Sequence, residues 1–259
     1  VSQSALDQII RDTPGLWRGK EGRKQFGSDR LGGANCADKN VVDTGFPELN
    51  ALLPTGGWPL RSIVEIQVPC WGNGELQPLL PFIAKLTTHQ SRVAMVAPPY
   101  TPYAPALTQH GVQLSQFIVV DIASERSNQN IRRHRLIRRK GHQQASSSRA
   151  KEIWWAAEKL LRHEDCGLVL AWPLRPDAAQ VRRLQLAADA SNSIGVIFQS
   201  GKTEDTPVGL RLRVERCVDG VTVRLLKSRY GWRQYGEVVL PNFSLNRESI
   251  PMIEPKLNG

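Results

Sequence analysis

Hydrophobic and polar positions alternate along this chain with periods that change from segment to segment. Ser4–Ile10 reads as a short helix ending before Pro14-Gly15, and Arg18–Asn40 is charged and glycine-rich. From Thr44 to Leu53 the apolar residues Phe46, Leu49, Leu52 and Leu53 fall at helical spacing. Ile63–Val68 is rich in β-branched residues and leads into a Gly-Asn-Gly turn. Leu76–Leu86 then predicts an apolar helix interrupted by prolines. Strands are predicted at Arg92–Ala97, Phe117–Ile122, Leu168–Trp172 and Ile194–Gln199. Helices are predicted between them at Tyr103–His110, Ser148–His163 and Asp177–Ala190. In the longest helix Ile153, Trp154, Ala157, Leu160 and Leu161 share one face.

Strands that alternate with crossover helices imply an α/β fold: a parallel sheet covered by helices on both faces. The end of the chain follows a different rule. Gly209–Cys217 and Val221–Lys227 flank Asp219-Gly220, a strong antiparallel hairpin signal. Leu210, Leu212 and Val214 alternate with Arg211, Arg213 and Glu215, so one face is apolar and the other largely basic. The chain therefore divides into an N-terminal helix and flexible arm (1–40), a core (41–235) with an insertion at 124–147, and a tail (236–259). The N- and C-terminal segments are expected to be extended, with little to anchor the chain from Val239 onward.

Composition narrows the class. With 259 residues, 41% hydrophobic and 7% aromatic, the chain has material for a sizeable core. No apolar run approaches the roughly 20 residues of a membrane helix, and Val1–Arg11 is too polar for a signal peptide. The four cysteines, Cys36, Cys70, Cys166 and Cys217, form no C-x-x-C pair, which points to reduced thiols in a cytoplasm rather than to zinc. No membrane partner is expected.

The net charge of +10 is local. Ser124–Lys151 carries nine basic residues against Glu125, and Arg211–Arg233 carries seven against Glu215 and Asp219. The remainder is slightly acidic. Such segments suit phosphate backbones or an acidic partner, with a solvated loop as the plain alternative. Candidate contacts are Arg132, Arg133, Arg135, Arg138, Arg139 and Lys140, together with Arg211, Arg213, Arg224, Lys227 and Arg229. At most weak, non-specific and salt-sensitive DNA binding is expected from them.

A strand, a glycine turn and a helix near the start of an α/β core invite a phosphate-loop test. That loop needs G-x-x-x-x-G-K-[ST]. Here Gly72-Asn73-Gly74-Glu75 puts Gly74 and Glu75 where Lys and Thr should stand. A Glu75 carboxylate can take the anion's place, so nucleotide binding is expected to be weak or absent.

Thr44–Leu53, Gly56-Gly57-Trp58-Pro59 and Ser62-Ile63-Val64-Glu65-Ile66 resemble the opening of a RecA-type core. Val96–Leu107, Gly111–Gln116, Leu170-Ala171-Trp172-Pro173, Arg183–Ala188 and the terminal hairpin make the chain most similar to ImuA, the RecA-like accessory family of mutagenic translesion synthesis. The resemblance runs from about Leu16 to Pro241. It implies a RecA-like parallel sheet and a non-catalytic adaptor in the SOS-type DNA-damage response. The implied partners are an ImuB-like relative of Y-family polymerases, through it an error-prone C-family DNA polymerase, and RecA. The middle motifs are also similar to SulA, the FtsZ-binding division inhibitor, which gives the alternative reading.

Two further departures from an active site accompany the missing Lys and Thr. The strand ending Val96-Ala97-Pro98-Pro99 brings no carboxylate, and Ala171-Trp172 stands where an Asp would help hold magnesium. No cofactor, metal or catalytic residue is expected. Trp155, Tyr100 and Tyr103 are candidate partner anchors, since exposed aromatics favour binding hot spots. For Trp155 partial packing under a loop is the plainer reading, and for the proline-rich loop of the two tyrosines a simple connection.

Overall fold

A computed structural model describes residues 40–122, 142–173, 176–201, 206–231 and 236–241. The expected N-terminal helix and arm, and Arg132–Lys140, lie outside the described residues.

Among the described residues, ten strands and five α-helices follow in chain order: β1 (Val41–Val42), α1 (Pro47–Leu52), β2 (Trp58–Pro59), β3 (Ser62–Val68), α2 (Leu80–Thr88), β4 (Arg92–Val96), α3 (Ala104–Gln109), β5 (Phe117–Val120), α4 (His142–Leu161), β6 (Cys166–Ala171), α5 (Ala178–Ser191), β7 (Ile194–Ser200), β8 (Leu210–Cys217), β9 (Gly220–Ser228) and β10 (Glu237–Pro241). β1 and β2 form a small antiparallel ribbon. The other eight strands form one sheet in the order β10-β9-β8-β3-β7-β6-β4-β5. From β8 to β5 all neighbours are parallel, while β9 and β10 add antiparallel strands at one edge. This is the mixed α/β architecture expected, with the mostly parallel sheet and the antiparallel hairpin.

The period-two geometry of β3 shows how the layers are built. Val64, Ile66 and Val68 join Leu49, Leu53, Phe82, Ile83 and Leu107 in a core under α1, α2 and α3. Ile63 points the other way, into a second core with Ile153, Trp154, Leu161, Val181 and Leu184 from α4 and α5. The central strands are buried on both sides, so β6 reads as a continuous apolar run, while β3 carries Glu65 and Gln67 among its apolar residues. α5 begins at Asp177, whose carboxylate accepts the Gln180 N–H at 2.8 Å. It ends at Asn192 in a left-handed conformation, φ 59°.

Three boundaries depart from the sequence reading. The helix expected from Leu76 starts as a 3-10 turn at Gln77–Leu79 and becomes α-helical at Leu80, because Pro78 and Pro81 suit first-turn positions. α4 begins at His142, so the insertion read as running to 147 gives way to helix six residues earlier than Ser148. The third concerns the tail. Residues 239–241, expected to be unanchored, belong to strand β10, paired with β9 in register Val239↔Thr222, with Leu240 fully buried, and 242–259 lie outside the described residues. β10 offers only three consecutive apolar residues, Val238, Val239 and Leu240, between Glu237 and Pro241, and it is held by its pairing with β9.

Candidate functional site

The crevice outside the carboxyl ends of parallel strands is where open α/β sheets bind ligands. Here β3 delivers residues 69–76 to that end, β4 delivers the loop 97–103, and β6 delivers Trp172. Gly72, Gly74, Glu75 and Tyr100 line a cavity of about 240 Å³ with Met95, Pro98 and Trp172. A neighbouring groove of about 580 Å³ is lined by Tyr103, His110, Gln77 and Arg216, and it shares Gly72 and Gly74. Tyr100 and Tyr103, 65% and 72% exposed, therefore flank the degenerate loop on its open side.

The loop's own groups are engaged internally. Glu75, only 7% exposed, accepts the backbone N–H of Gly72 at 3.0 Å. The carboxylate thus takes a loop amide of the kind that cradles phosphate in an active loop. Asn73 donates to the Cys70 sulfur at 2.6 Å. Gly74 has φ +81°, and a Cβ there would lie 2.7 Å from Cγ1 of Val221 on β9. Gly72 approaches the Tyr100 ring, whose Cε2 would be 3.7 Å from a Cβ at that position.

The remaining nucleotide groups do not fit either. Trp172 stacks on Phe198 with centroids 4.5 Å apart and planes 9° off parallel, filling the end of β6 with aromatic surface. Ala97, at the end of β4, takes a left-handed φ of 51° and donates its N–H to the Val120 carbonyl at 2.8 Å. Neither Ala97 nor Trp172 offers a carboxylate to a metal ion. Among the described residues no cluster of three or more His, Cys, Asp or Glu side chains could hold a metal. No helix among them is long and apolar enough to cross a membrane.

The basic hairpin face is more self-paired than its residue count suggests. Arg211 and Glu65 are directly opposed across β8 and β3, with Nε 3.0 Å from Oε1. Glu65 is fully buried and also accepts from Thr206 Oγ1 at 2.5 Å and Gln67 Nε2 at 2.8 Å. Arg213 pairs with Glu215 at 2.5 Å, and Arg224 with Glu237 at 2.6 Å. Hydrogen bonding to Glu237, then its charge, raises the Arg224 pKa. Lys227 donates to the Thr206 carbonyl at 3.2 Å, and the Arg229 guanidinium lies 5.2 Å from the Tyr230 ring centroid.

Trp155 is 61% exposed while Trp154 is 6% exposed, so the two adjacent indoles face opposite environments. Trp155 lies over a depression between α4 and α5, apart from the residues lining the Tyr100 cavity. Sequence reasoning missed Glu65, Gln77 and Arg216. Gln77 donates to the carbonyls of Leu240 at 3.3 Å and Pro241 at 2.6 Å, tying the loop-side helix to β10. Glu65 carried a readable signal, since a carboxylate inside an apolar strand demands a partner.

No protein-family model matches the chain, and no curated protein matches it. Among solved structures, SulA from Pseudomonas aeruginosa is similar over 54% of this chain and 98% of its own, at 13% identity and a TM-score of 0.37.

Proposed function

We propose that this chain is a non-catalytic, RecA-like adaptor of an SOS-type DNA-damage response. It supports mutagenic translesion synthesis through protein contacts. Its direct partner is an ImuB-like relative of Y-family polymerases. That protein connects it to an error-prone C-family DNA polymerase, and RecA is a further partner. The sequence resemblance to ImuA motivates the pathway. The observation that carries the non-catalytic part is the Glu75–Gly72 hydrogen bond, which places a carboxylate on the loop amide a phosphate would need. Two exposed tyrosines beside that loop supply aromatic contact surface of the kind protein interfaces use.

Purified chain, mixed with an ImuB-like protein encoded in the same genome, is expected to co-elute as a complex. Absence of any association would remove the partner claim. Titration with a fluorescent ATP analogue and magnesium is expected to show no saturable binding. Overexpression is expected to leave cell division normal, and filamentous cells in a strain lacking RecA would favour FtsZ inhibition instead.

A further inference from the structure

The depression between α4 and α5 lies apart from the degenerate loop. It encloses about 360 Å³ and is lined by Lys151, Trp154, Trp155, Glu158, Gln180 and Arg183. We infer that this groove is a docking site for an acidic segment of a partner protein, one that carries a bulky apolar side chain beside its carboxylates.

Three observations meet there. First, Trp155 presents a largely exposed indole at the groove, a large rigid surface that gains most from being covered. Second, two lining residues carry buried polar atoms without a hydrogen-bond partner: the indole N–H of Trp154 and the side-chain carbonyl of Gln180. One donor and one acceptor match the C=O and N–H of a peptide unit, and buried polar groups are normally satisfied. Third, the groove is net basic. The single acidic lining residue, Glu158, is shared by Arg183 at 2.7 Å and Arg162 at 3.3 Å. Lys151 adds a further positive charge at the groove. Negative charge on the occupant would therefore speed encounter and fix its orientation.

This surface does not depend on which protein the partner is, so it can stand or fall separately from the ImuB-like assignment. The test pans a library of random dodecapeptides against the full chain, with counter-selection on Trp155→Ala. Winning peptides are synthesised with fluorescein and titrated by anisotropy. The expected consensus pairs Asp or Glu with Leu, Phe or Trp. Trp155→Ala should weaken the winner at least tenfold, Lys151→Glu at least threefold, and Trp154→Phe measurably. Leu186→Ala, an exposed apolar change on α5 outside the groove, should leave affinity unchanged.

A neutral or basic consensus would overturn the proposal, as would peptides that bind Trp155→Ala equally well. Sedimentation showing a dimer that Trp155→Ala dissociates would assign the groove to a second copy of the chain. Displacement of the peptide by a single-stranded DNA 20-mer, with the DNA binding more tightly, would assign it to nucleic acid. Either result also overturns it.

Discussion

Glu75 and Gly72 lie three residues apart, and the carboxylate of the first accepts the backbone N–H of the second at 3.0 Å. Glu75 is buried while Gly72 is exposed, and the bond closes the turn on itself. Replacing Glu75 by Ala hands the Gly72 amide to water and should cost about 0.5–1.5 kcal/mol. Urea denaturation measures that loss. The same variant should still fail to bind a fluorescent ATP analogue, since Trp172 and Ala97 bring no metal-binding or water-activating group.

The neighbouring glycine sets a steric test. Gly74→Ala combines a left-handed φ with a Cβ 2.7 Å from Val221 and should cost about 2–4 kcal/mol in stability. Gly56→Ala has a similar φ of +78° and open space around its Cβ. It should cost only about 1 kcal/mol. Equal losses in the two variants would mean that β9 does not press on the loop.

The buried pair Glu65–Arg211 gives a third expectation. Arg211→Ala removes the guanidinium opposite the buried Glu65 carboxylate, and should cost about 3–5 kcal/mol. The double variant Glu65→Leu with Arg211→Met removes both charges and should recover most of that loss by urea denaturation. Arg211 therefore serves the fold before any partner. A loss of DNA affinity in Arg211→Ala should be read alongside its stability.

Burial pushes the Cys166 thiol up to about 11 from an ordinary 9.0. Its folded value is raised, so the stability it contributes is complete below pH 9 and is lost as pH rises toward 11. The loss should be on the order of 2 kcal/mol, and it should be absent in Cys166→Ala. At pH 8, iodoacetamide followed by peptide mass spectrometry should label exposed Cys70 and leave Cys166 unmodified.

Much of the fold was legible in the chain because its strands are buried on both faces and its helices are amphipathic. Leu168–Trp172 and Ile194–Phe198 are unbroken apolar runs, and each coincides with an observed central strand within a few residues. The hairpin was legible through Asp219-Gly220 and the alternation on both sides of it. Residues 237–241 were not, because a short edge strand owes its position to β9 and to the Gln77 side chain. That Gly74 and Glu75 stand where a phosphate loop needs Lys and Thr was also plain in the sequence. What Glu75 touches was not.

The sequence by itself determined the α/β class, the identity of the residues in the Gly72–Glu75 turn and the concentration of positive charge in two segments. Each follows from residue identity and local period, which need no neighbour in space. Only the tertiary structure decided how that charge is used. It set Arg211 against buried Glu65, Arg213 against Glu215 and Arg224 against Glu237. Of these, only the Arg213–Glu215 pair is close in sequence. The others bridge residues brought together by strand order, and strand order is fixed by packing between distant segments. The same packing buried Trp154 and left Trp155 exposed over the α4–α5 groove.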